Sequence, residues 1–332
     1  MPRRSSPSPG STFGNPRKDW RDGAPVAAVL VGGAEAGDAA VMEALAGALR
    51  RHGLNPLPIP AGRPDGPQAA ALAADPPDVV LDGTGAVKPG EFDCPVLDLI
   101  LPTGGAPAVA GRIEFVAALA ARWARLRRTP PAQRRLALLL AGHPDPATAA
   151  ATVGVLRALA GAGYRVEDLP DDGAALMARL TAGGWRQARE DLPLPDYFAV
   201  FHGLSAALRE RVTARWGAPE RDPRFRRGEL HCGGFALSAL RFGNVAVGVQ
   251  PSGDDGDAVP PHGYLAFHAW LQDGLRADAV IHMGGTGGEP PGKAMTLSAE
   301  CPAEEALGPL PHLHPFIGQP GPWPAILRDM RG

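Results

Sequence analysis

The densest run of chemistry-bearing residues is His282 to Lys293, which reads His-Met-Gly-Gly-Thr-Gly-Gly-Glu-Pro-Pro-Gly-Lys. Two chemistries fit it. Gly287 to Lys293 matches G-x-x-x-x-G-K, the first seven positions of a loop whose backbone N–H groups cradle phosphate. The eighth position breaks the match, because Ala294 has no hydroxyl for Mg²⁺, and Pro290 and Pro291 withdraw two N–H donors from the cradle. The second chemistry uses the polar ends. An imidazole at His282 and a carboxylate at Glu289 suit a divalent first-row metal or an exchange of protons. Spacing alone equally allows a hydrogen-bonded sheet histidine beside a solvated glutamate.

Further histidines follow the same third of the chain: His262, His268, His312 and His314. Tyr264 and His268 stand at i, i+4 on one helix face. The apolar neighbours Leu265, Phe267, Leu271 and Leu275 make His268 first of all a hydrogen-bonded core histidine. His312-Leu-His314 alternates in a Pro-bounded extended stretch, so both rings can share a side. No G-x-S-x-G elbow, no H-E-x-x-H helix and no Cys/His pair nominates a nucleophile. Cys94, Cys232 and Cys301 stand apart, which argues for reduced thiols rather than a disulfide framework.

The elements that must position these residues alternate between strand and helix. Val26 to Val31 is an apolar run ending in Gly32-Gly33, and Asp38 to Arg51 carries Val41, Leu45 and Leu49 at helical spacing before the Gly53 stop. Leu54 to Ile59, Asp78 to Asp82 and Pro95 to Leu101 read as further strands. Ile113 to Arg128 reads as an amphipathic helix with Phe115, Leu119, Trp123 and Leu126 near one face, ended by Thr129-Pro-Pro. The cycle restarts with Leu136 to Leu140, a helix over Ala147 to Ala162 and a strand over Tyr164 to Val166. It closes with Asn244 to Gln250 as strand, His262 to Leu275 as helix and Asp278 to His282 as strand. The pattern predicts an α/β protein with two parallel-sheet domains, Rossmann-like or flavodoxin-like, joined by a helix. The expected divisions are a disordered tail over 1–24, a first domain over 25–112, the linking helix over 113–131 and a second domain over 132–332. The Gly-rich loop then follows a strand's carboxyl end, where open parallel sheets bind ligands.

Composition narrows the function classes. In 332 residues, 33 Lys and Arg oppose 35 Asp and Glu, so no basic field exists to attract nucleic acid or an anionic membrane. The apolar runs are far shorter than the roughly 18 residues of a membrane span. Arg3 and Arg4 lead into Ser, Pro and Gly without the apolar stretch of a secretory signal, which places the expected location in the cytoplasm.

Taken in order, several segments resemble the large subunit of cobaltochelatase (CobN type) and the related large subunit of magnesium chelatase. Arg241-Phe-Gly-Asn-Val-Ala-Val-Gly-Val-Gln-Pro251 is similar to the family's RFGNVFVGLQP, and Pro260-Pro-His-Gly-Tyr-Leu-Ala-Phe267 to its PPHQYLAF. Ala277 to Gly284 resembles ADAVVHVG, Pro291-Gly-Lys293 its PGK, and Leu307 to Ile317 its LGDLPHVYPYI. The likeness covers about residues 25 to 320.

The resemblance implies a subunit that binds a tetrapyrrole, a corrinoid for cobalt or a porphyrin for magnesium, during insertion of a divalent metal. Separate AAA-type subunits hydrolyse ATP in that family, so it implies no nucleotide on this chain. It implies His282 and Glu289 as catalytic base and metal relay. Arg241, Asn244, Gln250, His262, Tyr264, Gly284, Thr286 and Lys293 are implied around the macrocycle, with Co²⁺ as substrate metal or Mg²⁺ in its place. Where the family reads HVGTHGTLEWLPGK, this loop is two residues shorter, and the family's second His falls on Thr286 or Gly284. Family members are several times longer, which implies that much of the insertion machinery lies outside these residues. Two other readings stay open: a tetrapyrrole or metal carrier or sensor without turnover, and an α/β protein binding a phosphate-bearing ligand.

Overall fold

The computed structural model describes residues 16–32, 36–60, 67–88, 91–102, 108–142, 144–181, 190–228, 233–251, 259–283, 295–299 and 301–313. The chain forms two compact units, Met1–Ala124 with Gly292–Glu300, and Arg125–Pro291 with Cys301–Gly332. In the first unit the order is β1 (Val26–Val31), α1 (Ala36–Arg51), β2 (Asn55–Pro60), α2 (Pro67–Ala74), β3 (Val79–Asp82), β4 (Val96–Ile100) and α3 (Ala110–Arg128). The fifth strand of its sheet comes from far along the chain: β12 (Met295–Thr296) pairs with β4, Met295 opposite Leu99. Every pairing is parallel and the order is β2-β1-β3-β4-β12, the doubly wound order of flavodoxin-like sheets. Val26, Ala28, Leu57, Ile59 and Val80 form one face's core.

Residues 16–24, read from composition as part of a disordered tail, are held against this sheet. Trp20 donates its indole N–H to the Pro56 carbonyl at 3.1 Å, and the buried Asn55 side chain bonds the backbone of Arg21 in both directions at 2.9 Å. One aromatic ring and one buried amide supply the ordering that composition does not reveal.

The second unit contains β5 (Leu136–Ala141), α4 (Pro146–Gly161), α5 (Gly173–Thr181), β6 (Glu190–Pro193), α6 (Leu194–Gly203), α7 (Ala206–Trp216), β7 (Phe225–Arg226), β8 (Gly234–Leu237), β9 (Ala239–Phe242) and β10 (Val245–Gln250). It ends with α8 (His262–Ala269), β11 (Ala279–Met283), α9 (Pro302–Leu307) and β13 (His312–Leu313). Its main sheet runs β13-β11-β5-β10-β9, parallel except for β9. Strands β6, β8 and β7 form a separate antiparallel sheet. β5 at the centre is apolar throughout, as a strand covered on both faces requires. α4 starts at Asp145, whose carboxylate caps the Thr148 N–H, with Pro146 at the first helical position.

Two expectations are corrected. Tyr164 to Val166 forms no strand, because the sheet edge beside β10 is taken by β9 through a hairpin, while the buried Arg134 guanidinium donates to the Tyr164 hydroxyl at 2.8 Å. The helix expected over His262 to Leu275 stops being α-helical at Ala269 and continues as a π-turn over Trp270–Gly274. No helix among the described residues is long and apolar enough to cross a membrane.

The β9–β10 hairpin explains the glycine of the Arg-Phe-Gly-Asn segment. Phe242 pairs with Val245, leaving Gly243 and Asn244 as a two-residue loop, and Gly243 has φ +67°, where a primed hairpin turn takes glycine. A Cβ there would also lie 2.7 Å from the Arg165 carbonyl oxygen. Gly243→Ala should therefore lower stability by roughly 2 kcal/mol or more. Urea unfolding of the two proteins checks this, and equal midpoints would refute it.

Candidate functional site

Strand parity builds the site. In β11, Val280 and His282 face the same side, and Val280 pairs with His312 of β13, so both imidazoles share one face of the sheet. Ala137 and Leu139 of β5 continue that face, as do Ala246, Gly248 and Gln250 of β10. Helix α8 covers it, with Leu265, Ala266, Phe267 and Ala269 packed in the same core cluster as Ala137, Leu139 and Val280. The approach is close. A Cβ on Gly248 would lie 2.8 Å from the Phe267 ring, so the small residues of β10 are what admit the helix.

At the carboxyl edge of this sheet the rings converge. His282 Nε2 and His312 Nδ1 are hydrogen-bonded at 2.8 Å, with their rings stacked at 5.1 Å between centroids. His268, projecting from α8, lies 6.5 Å from His312, and Tyr264, one turn earlier, lies 4.5 Å from His268. His282 and His312 are half-buried, whereas His268 is fully buried and neither of its ring nitrogens has a hydrogen-bond partner. Burial, and then the neighbouring His282, push its pKa down to about 3, so it is a neutral ring at any physiological pH. Burial pushes the Tyr264 phenol up to about 12, leaving it a protonated donor. The result is a file of neutral or switchable aromatic groups beside the sheet's ligand-binding edge. Among the described residues no three His, Cys, Asp or Glu groups lie within reach of one metal ion.

The other sequence-derived candidates separate into three groups. Gln250 closes β10 on the same face and at the same edge as His282. Arg241 and Asn244 lie toward the amino edge of β10. Arg241 makes a two-pronged bond to Glu190 (2.8 and 2.9 Å) and stacks 5.6 Å from the centre of the Trp270 ring, while the Asn244 amide donates to the Ala132 carbonyl at 2.9 Å. Trp270 donates to the same Glu190 at 3.2 Å, which ties β6, β9 and the π-turn together. Gly284, Thr286, Glu289 and Lys293 lie outside the described residues, as does His314.

His262 is committed internally. Its Nε2 donates to the Gly217 carbonyl at 3.0 Å, which leaves Nδ1 to accept from the Tyr197 hydroxyl at 2.5 Å. Burial pushes its pKa down, opposed by the Gly217 bond and the carboxylates of Asp222 and Glu220. The next residue, Gly263, donates its N–H to Asp222 at 2.7 Å, and a Cβ at Gly263 would meet Arg224 and Asp222 at 3.0 Å. The Pro-Pro-His-Gly segment thus fixes the start of α8, and α8 in turn presents Tyr264 and His268. Sequence reasoning did not place His312 beside His282. The pairing of a two-residue strand with β11 has no local signal, and only the alternation of His312 and His314 hinted at it.

Helix-covered parallel sheets with titratable rings gathered at the carboxyl edge of the second define a ligand-binding protein of the open α/β class. The chain belongs to the CobN/Magnesium Chelatase family, whose model matches residues 102–321. It is 42% identical over 241 residues to the aerobic cobaltochelatase subunit CobN of a Sinorhizobium species, and 42% identical over 236 residues to that of Pseudomonas aeruginosa. Those alignments take in 64% and 62% of this chain and 18% of each relative, so the chain spans about a fifth of the relatives' length. Among solved structures, the catalytic subunit of cobaltochelatase from Mycobacterium tuberculosis is similar with a TM-score of 0.73 at 28% identity, over 93% of this chain and 34% of that one.

Proposed function

We propose that this chain binds a tetrapyrrole, a corrinoid, and contributes to insertion of Co²⁺ into it during cobalamin biosynthesis in the cytoplasm, with His282 at the reacting centre. The observation that carries this reading is the His282–His312 pair at the carboxyl edge of a sheet whose sequence belongs to the chelatase family. The identity with cobaltochelatase subunits favours cobalt over magnesium. Insertion removes two pyrrole N–H protons and replaces them with one divalent cation. A proton acceptor and a ligand weak enough to release the metal are therefore both needed. A half-buried imidazole does either, and a second imidazole hydrogen-bonded to it shares the charge when a proton arrives. Glu289, seven residues on, supplies the second oxygen-bearing group in this proposal. ATP hydrolysis would come from separate AAA-type subunits, in keeping with the incomplete phosphate loop.

The test is a visible-absorption titration with a corrinoid precursor and with a porphyrin, with and without Co²⁺, on the wild type and His282→Ala. Saturable binding of one macrocycle without metal, plus a further Co²⁺-dependent shift lost in His282→Ala, is the expected result. Absence of any shift with either macrocycle would end the tetrapyrrole reading.

A further inference from the structure

A second concavity lies on the small antiparallel sheet, apart from the histidine file. It encloses about 520 Å³, within the range of small-molecule sites, which run from about 300 to 1,000 Å³. Its shape follows from register. Gly234 and Ala236 of the central strand β8 face outward, opposite Arg226 on β7 and opposite Pro193 and Asp191 on β6. The middle of the sheet is therefore bare of bulk while both flanks carry side chains, and Phe235 faces the other way into the core. At Gly234 nothing larger fits, since a Cβ would lie 2.5 Å from the Leu192 carbonyl oxygen. The groove is a product of the backbone.

Its chemistry is asymmetric. Arg226 and Arg227 line one side, and the rings of Pro193 and Pro195 with Asp191 line the other. Guanidinium groups hold planar carboxylates two-pronged, which selects them over a point anion. Proline rings favour an apolar body next to the charged edge. Asp191 repels a compact dianion but accepts an N–H from a ligand that carries one. We infer that this groove binds a flat, N–H-bearing polycarboxylate, with its acid groups on Arg226 and Arg227. On the proposed chelatase function, from which this assignment takes its ligand, that edge is the carboxylate periphery of the macrocycle, and the groove sets which peripheral acids the protein accepts.

Two titrations of the purified chain separate the groove from the insertion site. In the first, calorimetry with benzene-1,3,5-tricarboxylate probes the acid recognition alone. Arg226→Gln/Arg227→Gln should weaken it at least tenfold, Asp191→Asn should tighten it about threefold by removing the opposing charge, and His282→Ala should leave it unchanged. In the second, coproporphyrin and its tetramethyl ester are followed by visible absorption. The free acid should lose at least tenfold in the double arginine variant while the ester does not change. Thermal melts of each variant confirm that folding is retained, and both substituted arginines can be tested singly if the double variant does not fold. Porphyrin binding that is indifferent to the arginines overturns the groove assignment and leaves the tetrapyrrole reading standing. Tricarboxylate binding lost in the double variant, with no porphyrin binding at all, overturns the macrocycle as occupant and retains a polycarboxylate site. No heat with tricarboxylate in the wild type, or its displacement by ATP at equal concentration, overturns the carboxylate assignment.

Discussion

Acidification from pH 7 to pH 5 should remove stability from this protein faster than ionisation of ordinary surface groups would, and His268→Leu should abolish most of that loss. His268 is fully buried without a partner for either ring nitrogen, and its native pKa is pushed down to about 3 from an ordinary 6.5. The unfolded chain therefore takes up a proton near pH 6.5 that the folded chain refuses until about pH 3. Between those values stability falls with falling pH, by about 1 kcal/mol for each unit, reaching roughly 3 to 4 kcal/mol at the bottom of the window. Above pH 6.5 the ring is neutral in both states and contributes no slope. The leucine variant has no proton to take and no buried nitrogen to leave unsatisfied. It should be more stable at pH 7 by about 1 to 2 kcal/mol as well as flatter in pH. Burial of His262 pushes its pKa down also, so a smaller slope of the same sign survives in His268→Leu. Urea unfolding at pH 7, 6 and 5 on both proteins measures this. Parallel pH dependences would show that the imidazole is protonated or partnered in the native state.

That histidine also marks where the sequence stopped being informative. Its apolar neighbours on α8 correctly place it in the core, and the apolar runs of β1, β5, β10 and β11 are legible because a strand covered on both faces has to be apolar along its length. The α/β class follows from their alternation with helices. A hydrogen-bonded core histidine is the natural reading of such a position, yet whether a partner exists depends on what the opposite face offers. Opposite His268 stand His282 and His312, brought there by the pairing of a two-residue strand. β12 is of the same kind: Met295 and Thr296 complete a sheet whose other strands end at Ile100, and two residues have no periodicity to read. β6, with the sequence Glu-Asp-Leu-Pro, is a strand only because β8 lies against it. The arginine pair of the groove was visible as residues and invisible as a site, since bare glycine and alanine between two flanks emerge only from register.

The motif residues raise the opposite problem, that of legible residues whose work is structural. His262→Ala should destabilise the protein by about 3 to 5 kcal/mol, among the largest effects expected of one substitution. The ring is 1% exposed and joins two elements: it accepts from Tyr197 on α6 and donates to the carbonyl after α7. Alanine leaves a cavity against Tyr197 and Phe201, whose rings lie 5.7 and 5.5 Å away, and strands a buried hydroxyl and a buried carbonyl without partners. Tyr197→Phe removes one hydrogen bond and no volume, and should cost about 1 to 2 kcal/mol, with most of that absent when His262 is already alanine. The comparison decides what the Pro-Pro-His-Gly segment is for. If His262 serves to seat α8, macrocycle affinity measured per folded molecule will be unchanged in Tyr197→Phe and weakened only through misplacement of Tyr264 and His268 in His262→Ala. If the imidazole instead contacts ligand, His262→Ala will lose affinity at temperatures where it is still fully folded, and Tyr197→Phe, which frees Nδ1, will alter affinity without a matching change in melting temperature. A coupled stability loss with affinity intact in Tyr197→Phe is the expected outcome, because both ring nitrogens are already engaged by the protein's own groups.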